Sequence, residues 1–104
     1  MFDKLLEAKQ KAEDLKKRLE DITVTGTAEG GKITVTATGN KVVQSITIEE
    51  EFLKNSDKEE LEDLLVIAVN RAIEQAENIN QSEMAALSRD MLGGMGGLGN
   101  LFGK

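Results

Sequence analysis

The sequence predicts an α+β domain built as a helix, a three-stranded antiparallel meander and a long helix. Three observations predict it. Apolar residues recur at 3-4 spacing through a first segment that has no glycine, proline or β-branched residue. Three short runs between residues 22 and 48 then alternate aliphatic with threonine or serine side chains, separated by glycine-containing turns. A stretch free of glycine and proline from Asp57 to Met91 follows, opened by a helix start signal.

The first helix is expected over Phe2 to Asp21. Leu5, Ala8, Ala12, Leu15 and Leu19 form a narrow seam that Ile22 continues, about five turns long at 3.6 residues per turn. With Leu5 at heptad position a, Lys9 and Lys16 fall at e, and Lys4, Lys11 and Arg18 at g. The acids Asp3, Glu7, Glu13, Asp14, Glu20 and Asp21 occupy the outer b, c and f positions. Five like charges beside one seam oppose parallel self-pairing of this helix. Its seam is expected to pack elsewhere in the fold.

The strands follow. Ile22, Val24 and Ala28 alternate with Thr23, Thr25 and Thr27; Ile33, Val35 and Ala37 alternate with Thr34, Thr36 and Thr38. Ile46 and Ile48 alternate with Ser45 and Thr47, after Val42 and Val43. One aliphatic and one hydroxyl face per strand is the pattern of a sheet covered on one side. Gly30-Gly31 and Gly39-Asn40 stand where tight hairpins need positive φ.

Glu49 to Leu53 reads as a connection. Ser56 with Glu59 fits a capping box, and Asp57 suits the positive helix terminus. Leu61, Leu65, Ala68, Ala72, Ala76 and Ile79 hold one helical face, broadened by Leu64 and Val69. Asn78, Asn80 and Ser82 weaken the pattern, which leaves two alternatives: a bend or end there before a second piece through Met91, or a helix continuous past Asn80. Residues 1–92 are expected to form a single domain. Residues 93–104, rich in glycine, are expected to form a flexible tail. A seven-residue strand extends about 23 Å, whereas a continuous helix from Asp57 to Met91 would extend about 50 Å. Overhanging helices with apolar stripes imply a second subunit, most simply a two-fold dimer.

Composition narrows the chemistry. The 104 residues include no histidine, cysteine, tryptophan, tyrosine or proline. That removes an imidazole base, a thiolate nucleophile, disulfides and the commonest zinc ligands. No catalytic residue, metal site or cofactor is expected, and no membrane span: the longest apolar run, Leu64 to Val69, is too short. The acidic cluster Glu49-Glu50-Glu51 does not converge as a calcium loop does and reads as solvated. Gly93-Gly94-Met95-Gly96-Gly97 follows a helix and opens none, which argues against a phosphate-cradling loop. The threonine face carries no aromatic for base stacking.

Net charge is −6. Residues 1–48 hold eight basic and seven acidic residues, and residues 49–104 five and twelve, so the halves carry +1 and −7. Indiscriminate polyanion binding is disfavoured, but a local basic patch can still contact phosphate because such contacts are short-ranged. The flanks of the first helix are that patch. Arg71 and Arg89, on one side of the last helix, extend it. The bland alternative is solvated lysines, or partners for acids on the last helix. Of those acids, Glu59, Asp63, Glu74 and Glu77 lie mostly opposite its apolar face.

Val24-Thr25-Gly26, Gly31-Lys32-Ile33-Thr34-Val35, Ile46-Thr47-Ile48, Leu61-Glu62-Asp63-Leu64 and Ala68-Val69-Asn70-Arg71-Ala72 together resemble the YbaB/EbfC nucleoid-associated family, from the first helix to about Met84. The resemblance implies a small bacterial protein of the cytoplasm and nucleoid. It implies a tweezer-like homodimer whose projecting helices bind double-stranded DNA, with no small-molecule substrate. Basic residues of the first and last helices are the implied contacts: Lys4, Lys9, Lys11, Lys16, Lys17 and Arg18, with Arg71 and Arg89. The alternative is a protein-interaction adaptor dimer that leaves DNA alone.

Overall fold

Six-residue strands and a 36-residue helix set the shape of the protein. A computed structural model describes residues 2–93. The elements are α1 (Phe2–Glu20), β1 (Thr23–Ala28), β2 (Ile33–Thr38), β3 (Val43–Ile48), α2 (Glu50–Asn55) and α3 (Lys58–Gly93). The strands form one antiparallel sheet in the order β1-β2-β3. The expected order of a helix, a meander and a long helix is therefore present, with a short helix added. The expected glycine-rich tail lies outside the described residues, apart from Gly93, which ends α3.

The core is a sandwich of small and branched aliphatic side chains. Ala28 of β1 and Ile33, Val35 and Ala37 of β2 are buried against Ala68 and Ala72 of α3. Burying each of Ile33 and Val35, both 0 % exposed, contributes roughly 1.5–3 kcal/mol. The alanine spacing 68-72-76 puts methyl groups alone between helix backbone and sheet, so α3 comes close. Gly26 makes that approach possible: a Cβ there would lie 2.2 Å from the Ala72 nitrogen and 2.4 Å from the Ala68 oxygen.

Helix α3 lies over β1 and β2 and barely touches β3. Ile46 is the register partner of the fully buried Val35, yet it is 48 % exposed. Val43, paired with Ala37 across a register shift after Thr36, is also exposed. The side of β3 that should carry a helix carries none. Arg71 of α3 reaches Thr27 on β1, while Glu77 pairs with Lys41 beside β3. Helical geometry places Val66, Val69 and Ile73 on the Glu77 side, so an apolar step runs from the flank of α3 onto β3.

The turns separate two uses of glycine. In the first, Glu29, Gly30 and Gly31 all adopt positive φ, as the Gly-Gly pair predicts. In the second, positive φ falls on Lys41 and on neither Gly39 nor Asn40. Gly39 is needed for closeness: a Cβ there would meet Leu19 Cδ2 at 2.8 Å. Its amide donates to the Leu19 and Ile22 carbonyls at 2.9 and 3.0 Å. Asn40 Nδ2 donates to the Lys16 carbonyl at 2.9 Å, and Asn80 Nδ2 to the Gly39 carbonyl at 3.2 Å. This one turn ties the end of α1 to the middle of α3.

That tether also explains why α3 does not break at Asn78, Asn80 and Ser82. Asparagine and serine cost only tenths of a kcal/mol in a helix, and the Asn80 side chain has a tertiary partner. Two expectations are corrected. Residues 49–53 are not a bare connection: α2 forms there, short enough that no periodicity announces it, and it packs Phe52 against the core. The cap of α3 is Asp57, whose Oδ1 accepts from the Glu60 amide at 2.7 Å. Ser56 Oγ instead donates to the Phe52 carbonyl at 2.6 Å and closes α2.

Helix α1 folds back antiparallel to the far half of α3. Leu15 and Leu19 are buried, whereas Leu5 is 66 % exposed and Ala12 is also open. Only the lower part of the seam is packed within the protomer. The described chain measures 63 × 29 × 16 Å, an elongated body in which the helices outreach the sheet.

Candidate nucleic-acid interface

The basic residues of α1 divide by the helix side they occupy. Lys11 and Arg18, one heptad apart at g, face α3. Lys11 Nζ lies 3.4 Å from Asp90 Oδ2 and 3.5 Å from Glu7 Oε1. The hydrogen bond to Asp90, then its charge, raise the Lys11 pKa above the ordinary lysine value, against a small loss from desolvation. Lys11 therefore stays charged through the neutral range. Arg18 Nη2 pairs with Glu83 Oε1. A cleft between the two helices is lined by Lys11, Arg18, Glu83 and Asp90, together with Asp14, Leu15, Ala86 and Leu87.

Lys4, Lys9, Lys16 and Lys17 are exposed, and none lies in an ion pair among the described residues. Lys9 and Lys16 stand one heptad apart at e, about 10 Å along the helix axis. Arg89 is exposed on the same overhanging part of α3. Arg71 sits apart from this group, over the sheet. Its Nη1 donates to the Thr27 carbonyl at 2.8 Å, occupying an acceptor of the edge strand β1.

Sequence pattern sets aside Glu59, Asp63, Glu74 and Glu77 as poorly placed to neutralise α1 and does not single out Glu83 and Asp90, which do pair with it. Of the four that it sets aside, Glu77 pairs with Lys41 at 3.5 Å. A signal for the true partners does exist. Ala76, Glu83 and Asp90 are seven residues apart, so both acids continue the inward face of α3 beyond the sheet. Among the described residues, no three His, Cys, Asp or Glu side chains are placed to hold a metal ion. No described helix is long and apolar enough to cross a membrane.

A model of the YbaB/EbfC DNA-binding family matches residues 1–91. The chain belongs to this family. A nucleoid-associated protein of Flavobacterium johnsoniae is 40% identical over 102 residues, which span 98% of this chain and 94% of that protein. One from Thermodesulfovibrio yellowstonii is 46% identical over 84 residues, 80% of this chain and 74% of its own. The crystal structure of an uncharacterized Helicobacter pylori protein superimposes with a TM-score of 0.67 at 23% identity. It covers 85% of this chain and 88% of that one, and it shares the fold.

Proposed function

We propose that the protein is a nucleoid-associated homodimer of the bacterial cytoplasm that grips double-stranded DNA through phosphate contacts. The observation that carries the reading is the unneutralised row Lys9 and Lys16 on an overhanging helix, in a chain whose family is DNA-binding. Lys17, at f beside Lys16, and Arg89 on α3 add exposed positive charge, and Lys4 stands at g in line with Lys11 and Arg18. Lys11 and Arg18 join the row by exchanging α3 carboxylates for phosphate. Arg71 contributes at the margin, since its guanidinium is engaged by Thr27.

The dimer is supported by the apolar step beside β3. Ile46, Val43 and Val66 are 48 %, 39 % and 59 % exposed, a run of branched aliphatic surface that water penalises. A second copy covering that step leaves the helices projecting as two arms. Two arms double the row, giving the multiple phosphate contacts that tight binding needs. Base readout is not part of the proposal: lysine reads phosphate as a point charge and carries no sequence code.

The adaptor reading draws on Leu5 and Leu6, which are 66 % and 64 % exposed near the tip of α1. A titration of two unrelated duplexes separates the readings. If about four phosphates are neutralised, log K falls against log salt with a slope of about −3.6. An approximately fourfold rise in salt then weakens binding by about two orders of magnitude, equally for both sequences. No binding to either duplex at low salt, with salt-insensitive capture of a protein partner, would establish the adaptor instead.

A further inference from the structure

The two rows of α1 cations have opposite surroundings. Lys9 and Lys16 meet solvent, while Lys11 and Arg18 meet carboxylates of α3. The cations are seven residues apart, and so are Glu83 and Asp90, so one cross-pair repeats a heptad along the antiparallel helices. Glu7 and Asp14 on α1 stand beside the same cations, which brings the neighbouring carboxylates to four. A carboxylate oxygen on a guanidinium or ammonium takes the place that a phosphate oxygen would take.

We propose that Glu83 and Asp90 are affinity-setting residues, internal counter-ions that hold Arg18 and Lys11 until a duplex phosphate displaces them. The inference rests on the DNA-binding reading above. The pairs are displaceable because each has one partner open to water: Arg18 is 62 % exposed against 25 % for Glu83, and Asp90 70 % against 37 % for Lys11. Ion pairs of this kind are individually weak. A duplex gains from releasing its own condensed cations each time a protein cation replaces them. The exchange therefore runs in two stages. Lys9 and Lys16 meet the duplex with nothing to give up, and the inner pair follows only where phosphate is close enough to compete. Chains with such built-in competitors bind less tightly, and with a shallower salt dependence, than their count of basic residues implies.

The test compares three full-length proteins on one fluorescent duplex at two salt concentrations. They are the parent, Glu83→Gln/Asp90→Asn, and Glu59→Gln/Asp63→Asn, which makes the same charge change at exposed sites near the start of α3. The first variant should bind about tenfold tighter, with a salt slope steeper by about 0.9 per freed cation. The second should stay near the parent. The gain should vanish when Lys11→Gln/Arg18→Gln is added, because no cation is then left to free. Three results overturn the proposal: a gain no larger than the control's, a gain that survives without Lys11 and Arg18, or weaker binding by the folded variant. Loss of the helical circular dichroism signal in the double and both single acid variants makes these acids structural and also overturns it. A parent that binds no duplex refutes the DNA-binding reading itself, an outcome distinct from all of these.

Discussion

At Gly26 a methyl group would sit 2.2 Å from the Ala72 nitrogen and 2.4 Å from the Ala68 oxygen, both backbone atoms of α3. Neither atom can turn aside as a side-chain end could, so helix and sheet must part. At Gly39 the obstacle is mixed, Leu19 Cδ2 at 2.8 Å and the Leu19 carbonyl at 3.0 Å. At Gly30 there is no obstacle within 4 Å, and the strain lies in φ +65 alone. Alanine substitutions should therefore rank in severity as Gly26, then Gly39, then Gly30. Overpacking at Gly26 is expected to cost about 3 kcal/mol, which lowers the melting temperature by roughly 12–24 °C in a domain of this size. Gly30→Ala should cost about 1 kcal/mol. Thermal melting followed by circular dichroism gives the order, and a Gly26→Ala protein melting with the parent would show that α3 is not held so close.

The elements differ in what their neighbours within one protomer can cover. Ala68 on α3 is 0 % exposed, and Ala68→Asp would bury an unpaired carboxylate at a cost of several kcal/mol. That variant should not fold. Ile46 on β3 is 48 % exposed, so Ile46→Lys should fold and yet fail to pair. Light scattering should give about twice 11.3 kDa for the parent and a single chain mass for folded Ile46→Lys. A folded Ile46→Lys that remains a dimer would place the interface away from β3. Most of the fold was legible in sequence because α1, the three strands and α3 each repeat their period several times. The six residues of α2 repeat nothing. The cap of α3 is ambiguous by one residue in sequence because Ser56 and Asp57 are both good caps and each has a glutamate three residues on, Glu59 and Glu60. Asn80 weakens the helical pattern in sequence because its partner, the Gly39 carbonyl, is 41 residues away. The cations of the candidate site were legible as heptad positions. Their division into held and open rows was not, because it depends on where α1 docks on α3.

For the whole molecule, an acidic chain that binds DNA must concentrate its positive charge where the duplex lies. With a net charge of −6, the far field opposes approach. Binding then depends on short-range contacts, and the open row of α1 is where they are expected. Lys9→Glu with Lys16→Glu reverses the centre of that row without touching the packed Leu15 and Leu19. Glu13→Lys with Glu20→Lys reverses two outer positions of the same helix as a control. The most direct measurement is the salt dependence of duplex affinity for these two variants and the parent, with folding checked by circular dichroism. The lysine reversal is expected to weaken binding to every duplex sequence alike and to flatten the slope, while the glutamate reversal, three or four residues from Lys9 and Lys16, raises affinity. A folded Lys9→Glu/Lys16→Glu protein that binds duplex as tightly as the parent, with the same slope, would contradict the proposed interface.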